Sequence, residues 1–376
     1  MRFSTQTATA ALCLATASQA TNHTRLQHWP KDAAAALEKM IIANANSSNY
    51  ACFDMDVRNK SLHRLSHPPN HRQIAHKPTQ NTSYRFDVEE SLLPFLENRG
   101  VLTRSGLPQE LHLIPFKDTA NVTESLYSYY QRLCTLDTLL CYPWAAQVWA
   151  GFTLRELKVY VDELMAYNST IPTQYWDGDD IVHEEVNRPH IFRGQVELYN
   201  ALMANGIDVY VVSASAEEIV RMVASDPKYG YNVKPENVIG VTTFLKNATT
   251  GDLTNSRQQI EAGVYDQEAN LDLVYGTYLN TPVPWFSGKW AAILTYIDEW
   301  KKPVLVAGDT PTSDGYMLFH GVDVEKGGVH LWVNKSASNW ESITQMRRDN
   351  AAAQAANGLN VTADKNWVVV LPTDIL

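Results

Sequence analysis

The stretch Tyr50-Ala51-Cys52-Phe53-Asp54-Met55-Asp56 is a short apolar run that ends in two carboxylates. Four uncharged residues that include Tyr and Phe predict a buried β-strand. An Asp-x-Asp pair directly after such a strand fits a catalytic turn, although many solvated turns have the same composition. The pair therefore needs support from the rest of the chain.

Three later segments place reactive residues at the end of a strand or at the start of a helix. Ser213 follows the predicted strand 209–212, and Lys289 opens a predicted helix. Residues 308–314, Gly-Asp-Thr-Pro-Thr-Ser-Asp, follow the predicted strand 304–307. In open α/β sheets the ligands bind at the carboxyl ends of the strands. The four segments in this order therefore predict one site.

These residues suit phosphoryl transfer. The Asp54 carboxylate can attack phosphorus and form an aspartyl-phosphate, which divides one difficult displacement into two easier ones. Asp56 can then serve as general acid and later as general base. The Ser213 hydroxyl, backbone amides such as that of Ala214, and the Lys289 ammonium can neutralise the phosphoryl oxygens.

The same segments predict a Mg²⁺ site. Several carboxylates beside a phosphate would repel it unless a hard cation lay between them. Asp54, Asp309, Asp314 and a backbone carbonyl at Asp56 supply the oxygen ligands that Mg²⁺ prefers.

Residues 57–80 interrupt the first motif. Without them Asp56 would be followed directly by Asn81 and Thr82. The segment has no acidic residue, four His and three Pro. Its length preserves the reading frame, and the codons for Val57 and Gln80 permit splice-site dinucleotides. We interpret it as a retained intron that would form a disordered excursion beside the site. The alternative is a genuine basic surface loop.

With that segment set aside, the four motifs resemble those of the haloacid dehalogenase (HAD) superfamily of phosphohydrolases, over essentially the whole mature chain. Residues 213–216 and 308–314 resemble the phosphorylcholine phosphatase branch of that superfamily. The resemblance implies a role for each motif residue: nucleophile Asp54; acid/base Asp56; phosphate binding by Thr82, Ser213, Ala214 and Lys289; metal binding by Asp54, Asp56, Asp309 and Asp314.

The implied fold class is α/β, with a doubly wound, Rossmann-like HAD core and an inserted, mainly helical cap. Helices and strands alternate from residue 187 onwards, which favours a mostly parallel sheet. The predicted divisions are a signal peptide 1–20, a first core segment 21–98, a cap 99–186 and a second core segment 187–376. Predicted helices cover 31–45, 87–100, 123–133, 151–167 and 193–205. Capping boxes are predicted at Thr153/Glu156 and at Ser215/Glu218.

Composition indicates export. Residues 1–20 combine Arg2, a short apolar core and a Ser-Gln-Ala cleavage site, as a secretory signal does. Cys134 and Cys141 could pair in an oxidising compartment, whereas Cys52 is expected to pack as a small hydrophobe. Seven further Asn-x-Ser/Thr triplets are potential glycosylation sites: Asn22, Asn46, Asn121, Asn168, Asn247, Asn334 and Asn360. Asn81 also fits the pattern, but its place in the catalytic turn predicts that it is unmodified.

The charge balance excludes some partners. The formal net charge of −10 would fall to near −16 without Arg2 and the five basic residues of 57–80. Such an acidic chain is not expected to bind nucleic acid. No segment of the mature chain is apolar for long enough to predict a membrane span. The sequence does not determine the oligomeric state.

The cap is expected to select the substrate. Aromatic rings bind quaternary ammonium groups such as that of choline. The candidates are Tyr129, Tyr130, Trp144, Trp149, Tyr175 and Trp176, although most of these rings are expected only to pack the cap. Glu184 and Glu185 could offer carboxylates to a cation.

We therefore predict a secreted, Mg²⁺-dependent phosphomonoesterase that uses an aspartyl-phosphate intermediate and acts on a small phosphomonoester, phosphorylcholine. One alternative is an extracellular acid phosphatase of broad specificity. Another is a catalytically inactive, secreted phosphate-binding protein, which translation of residues 57–80 would produce.

Overall fold

The computed structural model describes residues 25–55 and 82–376. The predicted signal peptide, Asp56, the segment 57–80 and Asn81 lie outside these residues. The helices are α1 Lys31–Asn44, α2 Val88–Asn98, α3 Leu126–Leu136, α4 Thr138–Gln147, α5 Leu154–Ala166, α6 Arg193–Ala204, α7 Glu217–Ala224, α8 Ser256–Glu261, α9 Gln267–Asn270, α10 Ser287–Tyr296, α11 Pro311–Gly321 and α12 Ala337–Ala356. The strands are β1 Tyr50–Phe53, β2 Tyr84–Arg85, β3 Ile171–Asp177, β4 Asp180–Val186, β5 His190–Ile191, β6 Asp208–Ala216, β7 Val238–Val241, β8 Thr243–Lys246, β9 Leu253–Thr254, β10 Val274–Leu279, β11 Leu305–Gly308, β12 Val329–Val333 and β13 Trp367–Val370.

A parallel sheet forms the centre of the described residues. Its six strands lie in the order β13-β12-β11-β1-β6-β7, and every neighbouring pair is parallel. The chain builds outwards from β1 to β6 and β7, then returns to the other side of β1 for β11, β12 and β13. The order therefore reverses between β1 and β11, and such a switch point is where open α/β sheets bind ligands.

Both faces of this sheet are covered. Along β1, Ala51 and Phe53 belong to the larger hydrophobic cluster, whereas Tyr50 and Cys52 belong to the smaller one. The larger cluster includes residues of α1 and α6, and the smaller includes residues of α10, α11 and α12. Alternate side chains of a strand point to opposite faces, so helices lie on both sides of the sheet. The doubly wound α/β arrangement predicted from the sequence is confirmed.

Residues 99–186, called here the inserted segment, are less helical than predicted. They hold α3, α4 and α5, but also the antiparallel hairpin of β3 and β4. The hairpin strands are mostly half-exposed, so they lack the continuous apolar pattern that marks a buried strand. The division into core and cap domains stays a prediction.

Two local predictions have opposite outcomes. The capping box at Thr153 and Glu156 is confirmed at the start of α5. The one at Ser215 and Glu218 is wrong, because β6 extends to Ala216 and pairs there with β7 before α7 begins. Tertiary strand pairing has overridden a local helix-start signal.

The cysteines pair as the sequence allows. Cys134 and Cys141 form a disulfide that joins the consecutive helices α3 and α4. Cys52 is a free, fully buried thiol, as expected. Its burial raises the pKa of the thiol far above its ordinary value, which makes it unreactive.

Candidate active site

Three carboxylates meet at the carboxyl edge of the sheet, at the switch point between β1 and β11. Asp54 follows β1, Asp309 follows β11, and Asp314 lies in the first turn of α11. One oxygen of each lies within 4.8 Å of the others, and all three side chains are fully buried. The sheet thus brings together three residues that are far apart in sequence, as predicted.

The backbone around these carboxylates is closely fitted. The amide of Asp54 donates to the carbonyl oxygen of Ala307 at 3.0 Å, which continues the β1–β11 pairing up to the acid itself. A Cβ at Gly308 would lie 2.6 Å from the Cβ of Asp314, so glycine allows Asp314 to approach the strand end. One oxygen of Asp314 accepts from the amides of Asp309 and Thr310 at 2.8 and 2.9 Å. The acids therefore have defined orientations.

Lys289 links two of these carboxylates. Its ammonium donates to Asp54 Oδ1 at 2.5 Å and to Asp314 Oδ1 at 2.6 Å, and the residue is fully buried. Burial alone would lower the pKa of Lys289, but the charges of Asp314 and Asp54 outweigh it and raise that pKa. The lysine is therefore a fixed positive charge beside Asp54.

Two of these carboxyl groups have a pKa above the ordinary value for aspartate. Burial raises the pKa of Asp54 well above its usual range, and the charge of Asp314 adds to the effect despite Lys289. Burial also raises the pKa of Asp309 to about 6, although Lys335 opposes that shift. Crowded buried carboxylates of this kind are stabilised as anions by an added cation.

Thr82, the first residue of the described range 82–376, lies beside Asp54. Its hydroxyl donates to Asp54 Oδ2 at 3.4 Å, a long contact. The next residue, Ser83, donates to the carbonyl oxygen of Asp54 at 2.5 Å and contacts the Tyr199 hydroxyl at 2.7 Å. The predicted motif threonine thus lies next to the first motif, although residues 57–80 separate them in sequence.

Ser213 lies beside Met55, the residue that follows Asp54, and Ala214 comes next in the chain. The Ser213 hydroxyl donates to the carbonyl oxygen of Met55 at 2.6 Å, and it accepts from the Ser215 amide at 3.1 Å. Both Ser213 and Ala214 are buried. Among the predicted site residues only Asp56 lies outside the described chain, so its placement stays a prediction.

Sequence reasoning missed one residue of this site and a second buried charged residue near the end of β6. Lys335, which follows β12, is buried and donates to Asp309 Oδ2 at 3.2 Å and to Thr310 Oγ1 at 2.5 Å. Glu89, at the start of α2, accepts from the Ala216 amide at 3.0 Å and from Trp149 Nε1 at 3.2 Å. Neither residue lies in a recognisable motif. The position of Lys335 just after a strand was the one available signal.

Three of the six candidate aromatic residues serve the packing of the inserted segment. Tyr129 contacts the backbone of Ile114, and the ring nitrogens of Trp144 and Trp176 donate to the carbonyl oxygens of Leu111 and Lys117. Trp149, in contrast, donates to the buried carboxylate of Glu89 on α2. The expectation that most of these rings only pack the segment therefore gains support for Tyr129, Trp144 and Trp176.

Another aromatic residue lies among carboxylates. The Tyr127 hydroxyl donates to Glu184 Oε2 at 3.0 Å, and the ring meets Tyr175 edge-on at 6.4 Å. Burial raises the pKa of Tyr127 well above its ordinary value, and the charges of Glu90 and Glu184 add to this shift. Glu185 instead contacts Thr170 at the surface. This region of the molecule combines rings with negative charge.

The donor set at the carboxyl edge fits a hard divalent cation. Asp54, Asp309 and Asp314 each offer a carboxylate oxygen, these oxygens lie within 4.8 Å of one another, and oxygen ligands of this kind are those that Mg²⁺ prefers. Among the described helices none combines the length and apolarity that crossing a membrane requires.

The fold and the site together define an α/β protein with a buried carboxylate–lysine centre at a topological switch point. A phosphorylcholine phosphatase of Pseudomonas aeruginosa is 58% identical over 366 residues, which cover 97% of this chain and 97% of that protein. The chain belongs to the family of that phosphatase.

Other comparisons add the fold only. A crystal structure of a conserved, functionally unknown protein from Anaerococcus prevotii superposes with a TM-score of 0.51. The two chains are 18% identical, and the superposed region covers 85% of this chain and 90% of the Anaerococcus chain. No protein-family model matches the chain.

Proposed function

We propose that this protein is a Mg²⁺-dependent phosphomonoesterase of the HAD type that hydrolyses phosphorylcholine through an aspartyl-phosphate. The observation that carries the proposal is the buried Asp54 carboxylate, which lies 2.5 Å from the Lys289 ammonium and converges with Asp309 and Asp314. Membership of the phosphorylcholine phosphatase family supports the same substrate.

In the proposed reaction Asp54 attacks phosphorus, and the choline oxygen leaves with a proton from Asp56. Water, deprotonated by the same Asp56, then hydrolyses the aspartyl-phosphate and regenerates the carboxylate. The donors to the phosphoryl oxygens, where negative charge accumulates, are Lys289, Thr82, the Ser213 hydroxyl and the Ala214 amide. Bulk solvent is kept from the nucleophile because the residues that surround it are buried, while the single hydrolytic water must still be admitted.

Asp54, Asp309 and Asp314 would hold the Mg²⁺ ion. When bound, the ion would neutralise the phosphate and so allow an anionic nucleophile to approach an anionic substrate. Lys335 would keep Asp309 in the orientation seen in the structure, because its ammonium contacts the second oxygen of that acid.

Metal dependence is testable by calorimetry as well as by activity. Chelation should abolish turnover, and added Mg²⁺ should restore it. Asp309→Ala should weaken Mg²⁺ binding, measured by titration calorimetry, by roughly 100-fold or more, because a direct ligand counts for at least as much as an outer-shell partner. Ser213→Ala is the matched control and should bind Mg²⁺ normally. Unchanged affinity in Asp309→Ala would show that the metal lies elsewhere.

Choline recognition would come from the rings and carboxylates on the inserted segment and α2. Tyr127 donates to Glu184, meets Tyr175 edge-on, and has its pKa raised further by the charge of Glu90. Anionic side chains and aromatic faces both attract a quaternary ammonium. We expect Glu184→Gln to raise KM for phosphorylcholine more than KM for an aryl phosphate, which has no cation. Equal changes for the two substrates, or equal kcat/KM in the unmodified protein, would favour the broad-specificity acid phosphatase.

Export is also included in the proposal. It is supported by the signal-like residues 1–20, the Cys134–Cys141 disulfide and the exposure of Asn46, Asn121, Asn168 and Asn360. Asn334 differs, because its side-chain oxygen accepts from Trp332 Nε1 and it adjoins Lys335. Mass spectrometry of protein secreted by its natural host should find cleavage after Ala20 and glycans at exposed acceptors but none at Asn334. Retention of residues 1–20 would contradict export.

The inactive phosphate-binding protein is the second candidate, because residues 57–80 separate Asp56 from Thr82 in sequence. Transcript sequencing across codons 57–80 tests whether the segment is spliced out. Hydrolysis of phosphorylcholine should then be compared between the chain with and without these residues. We expect the shorter form to be faster by about 100-fold, because small misplacement of an acid/base group is costly. Equal rates would show that the segment is a tolerated loop.

A further inference from the structure

The position of Lys289 depends on a tightly wound turn that begins at Val283. The amide of Trp285 donates to the carbonyl oxygen of Val283 at 3.0 Å, and the amide of Gly288 donates to that of Trp285 at 2.9 Å. A Cβ at residue 288 would lie only 1.9 Å from the Val283 oxygen, so only glycine fits. The lysine side chain therefore leaves the backbone from a closely constrained turn.

Phe286 has an unusual backbone conformation within this turn. Its φ is 54° and its ψ is −126°, and positive φ is rare for a bulky side chain. Its carbonyl oxygen accepts from the Lys289 amide at 3.2 Å, so its conformation directs the start of α10. A conformation of this kind persists only where neighbouring contacts hold it.

Those contacts come from the inserted segment. The ring of Tyr142 stacks on Phe286 with centroids 5.8 Å apart and planes 13° apart, and it meets Trp285 edge-on at 6.3 Å. Tyr142 is buried on α4, directly after Cys141. The disulfide from Cys141 to Cys134 ties α4 to α3. The disulfide thus limits movement of the helix that carries Tyr142.

We propose that Tyr142 and Phe286 are positioning residues for the Lys289 ammonium. The stacked rings hold Phe286 at positive φ, which fixes the first turn of α10 and keeps the ammonium between Asp54 and Asp314. The inference rests on the proposed function, in which Lys289 binds the phosphoryl group. It gives the inserted segment a role in the chemical step, separate from any role in binding choline.

Kinetics can separate this role from simple packing. Tyr142→Ala and Phe286→Leu should each lower kcat by about 10- to 100-fold, because slight misplacement of a charge is costly in the transition state. KM should stay within about twofold, because the lost interaction matters mainly in the transition state. Tyr142→Phe keeps the ring and should restore the normal rate. Tyr160→Leu is the matched control, since that ring pairs with Phe152 elsewhere in the inserted segment.

A double-mutant cycle tests whether the effect passes through the lysine. In a Lys289→Met background, Tyr142→Ala should produce no further loss of kcat for an aryl phosphate. An equal loss in both backgrounds would overturn the proposal, and so would a raised KM with unchanged kcat. If circular dichroism shows that Tyr142→Ala does not fold, Phe286→Leu in the same two backgrounds tests whether the effect on kcat passes through Lys289.

The same data distinguish failure of this inference from failure of the proposed function. All variants should be made in the full chain and in the form without residues 57–80. If neither form hydrolyses phosphate esters, or if Lys289→Met is fully active, the proposed function is wrong and this inference fails with it. If Lys289→Met is impaired while Tyr142→Ala is normal, only the inference is wrong.

Discussion

Two buried groups of charged residues in this molecule differ in how they are neutralised. The carboxyl-edge cluster consists of Asp54, Asp309, Asp314, Lys289 and Lys335, and the Glu217 network consists of Glu217, Glu218, Arg221 and Arg257. The first has three carboxylates and two ammonium groups. The second has two carboxylates and two guanidinium groups, so its charges balance.

In the Glu217 network the central carboxylate is fully bonded. Glu217 Oε1 accepts from Arg221 at 2.5 Å and from Arg257 at 3.0 Å. Its other oxygen accepts from the Gly240 amide at 3.0 Å and from the Thr242 hydroxyl at 2.9 Å. Burial alone would raise the pKa of Glu217, but the two arginines outweigh it and lower that pKa.

The carboxyl-edge cluster shows the opposite balance. Burial and the neighbouring acids prevail there, so the pKa of Asp54 is raised and that of Asp309 rises to about 6. A buried ion network that satisfies its own charges has a structural role. A buried ion network with an excess of negative charge is suited to bind a cation. Acids with perturbed pKa values of this kind are common in active sites.

The largest expected effect comes from Asp54→Asn. Removing the nucleophile should lower kcat by at least about a thousandfold, because the amide cannot form the acyl phosphate. Stability in urea should be equal or higher, since a crowded buried charge is lost. Beryllium fluoride, which mimics the phosphoryl group on a carboxylate, should bind the unmodified protein but not this variant. Substantial residual phosphatase activity would exclude a covalent mechanism at Asp54.

Glu217→Gln should show the reverse pattern. Loss of the central carboxylate leaves two buried guanidinium groups short of a partner, which should lower the free energy of unfolding by roughly 3–5 kcal/mol. The kcat per folded molecule should change by less than about twofold, because Glu217 is not assigned a role in the chemistry. Urea denaturation and kcat at low temperature measure the two quantities. A large fall in kcat with normal stability would remove the distinction between the two regions.

His330 provides a smaller test, because it is a buried titratable group whose ring contacts a backbone oxygen and not a carboxylate. Its Nδ1 lies 2.9 Å from the carbonyl oxygen of Lys365, and the ring stacks on Trp367 at 4.6 Å. Burial lowers the pKa of His330 to about 4 from 6.5. The unfolded chain therefore binds a proton more readily than the folded chain between these values.

The stability that neutral His330 contributes should be complete above pH 6.5 and lost as pH falls towards 4. The loss should approach roughly 3 kcal/mol for a shift of this size. Urea denaturation at about pH 7.5 and about pH 4.5 measures it, with His330→Gln as the comparison. The variant should lose less stability than the unmodified protein over this range. Identical losses would assign the acid sensitivity to the two charged regions instead.

The sequence by itself determined which residues are chemically suited to the site. Asp54, Lys289, Asp309 and Asp314 could be selected because each follows a strand or opens a helix, and the carboxyl ends of parallel strands share one edge. The alternation of strands and helices also indicated the α/β sheet. These features are local in sequence, so composition and spacing are enough to find them.

Only the tertiary structure decided which distant residues complete the site. Lys289 contacts Asp54 across 235 positions of sequence, and Lys335 joins the site through strand order, without any motif of its own. Ser215 has the local signal of a helix cap, yet pairing of β6 with β7 places it within a strand. The stack of Tyr142 on Phe286 likewise depends on where the inserted segment packs. Such contacts are decided by burial and pairing between remote regions of the chain, which no short pattern of residues records.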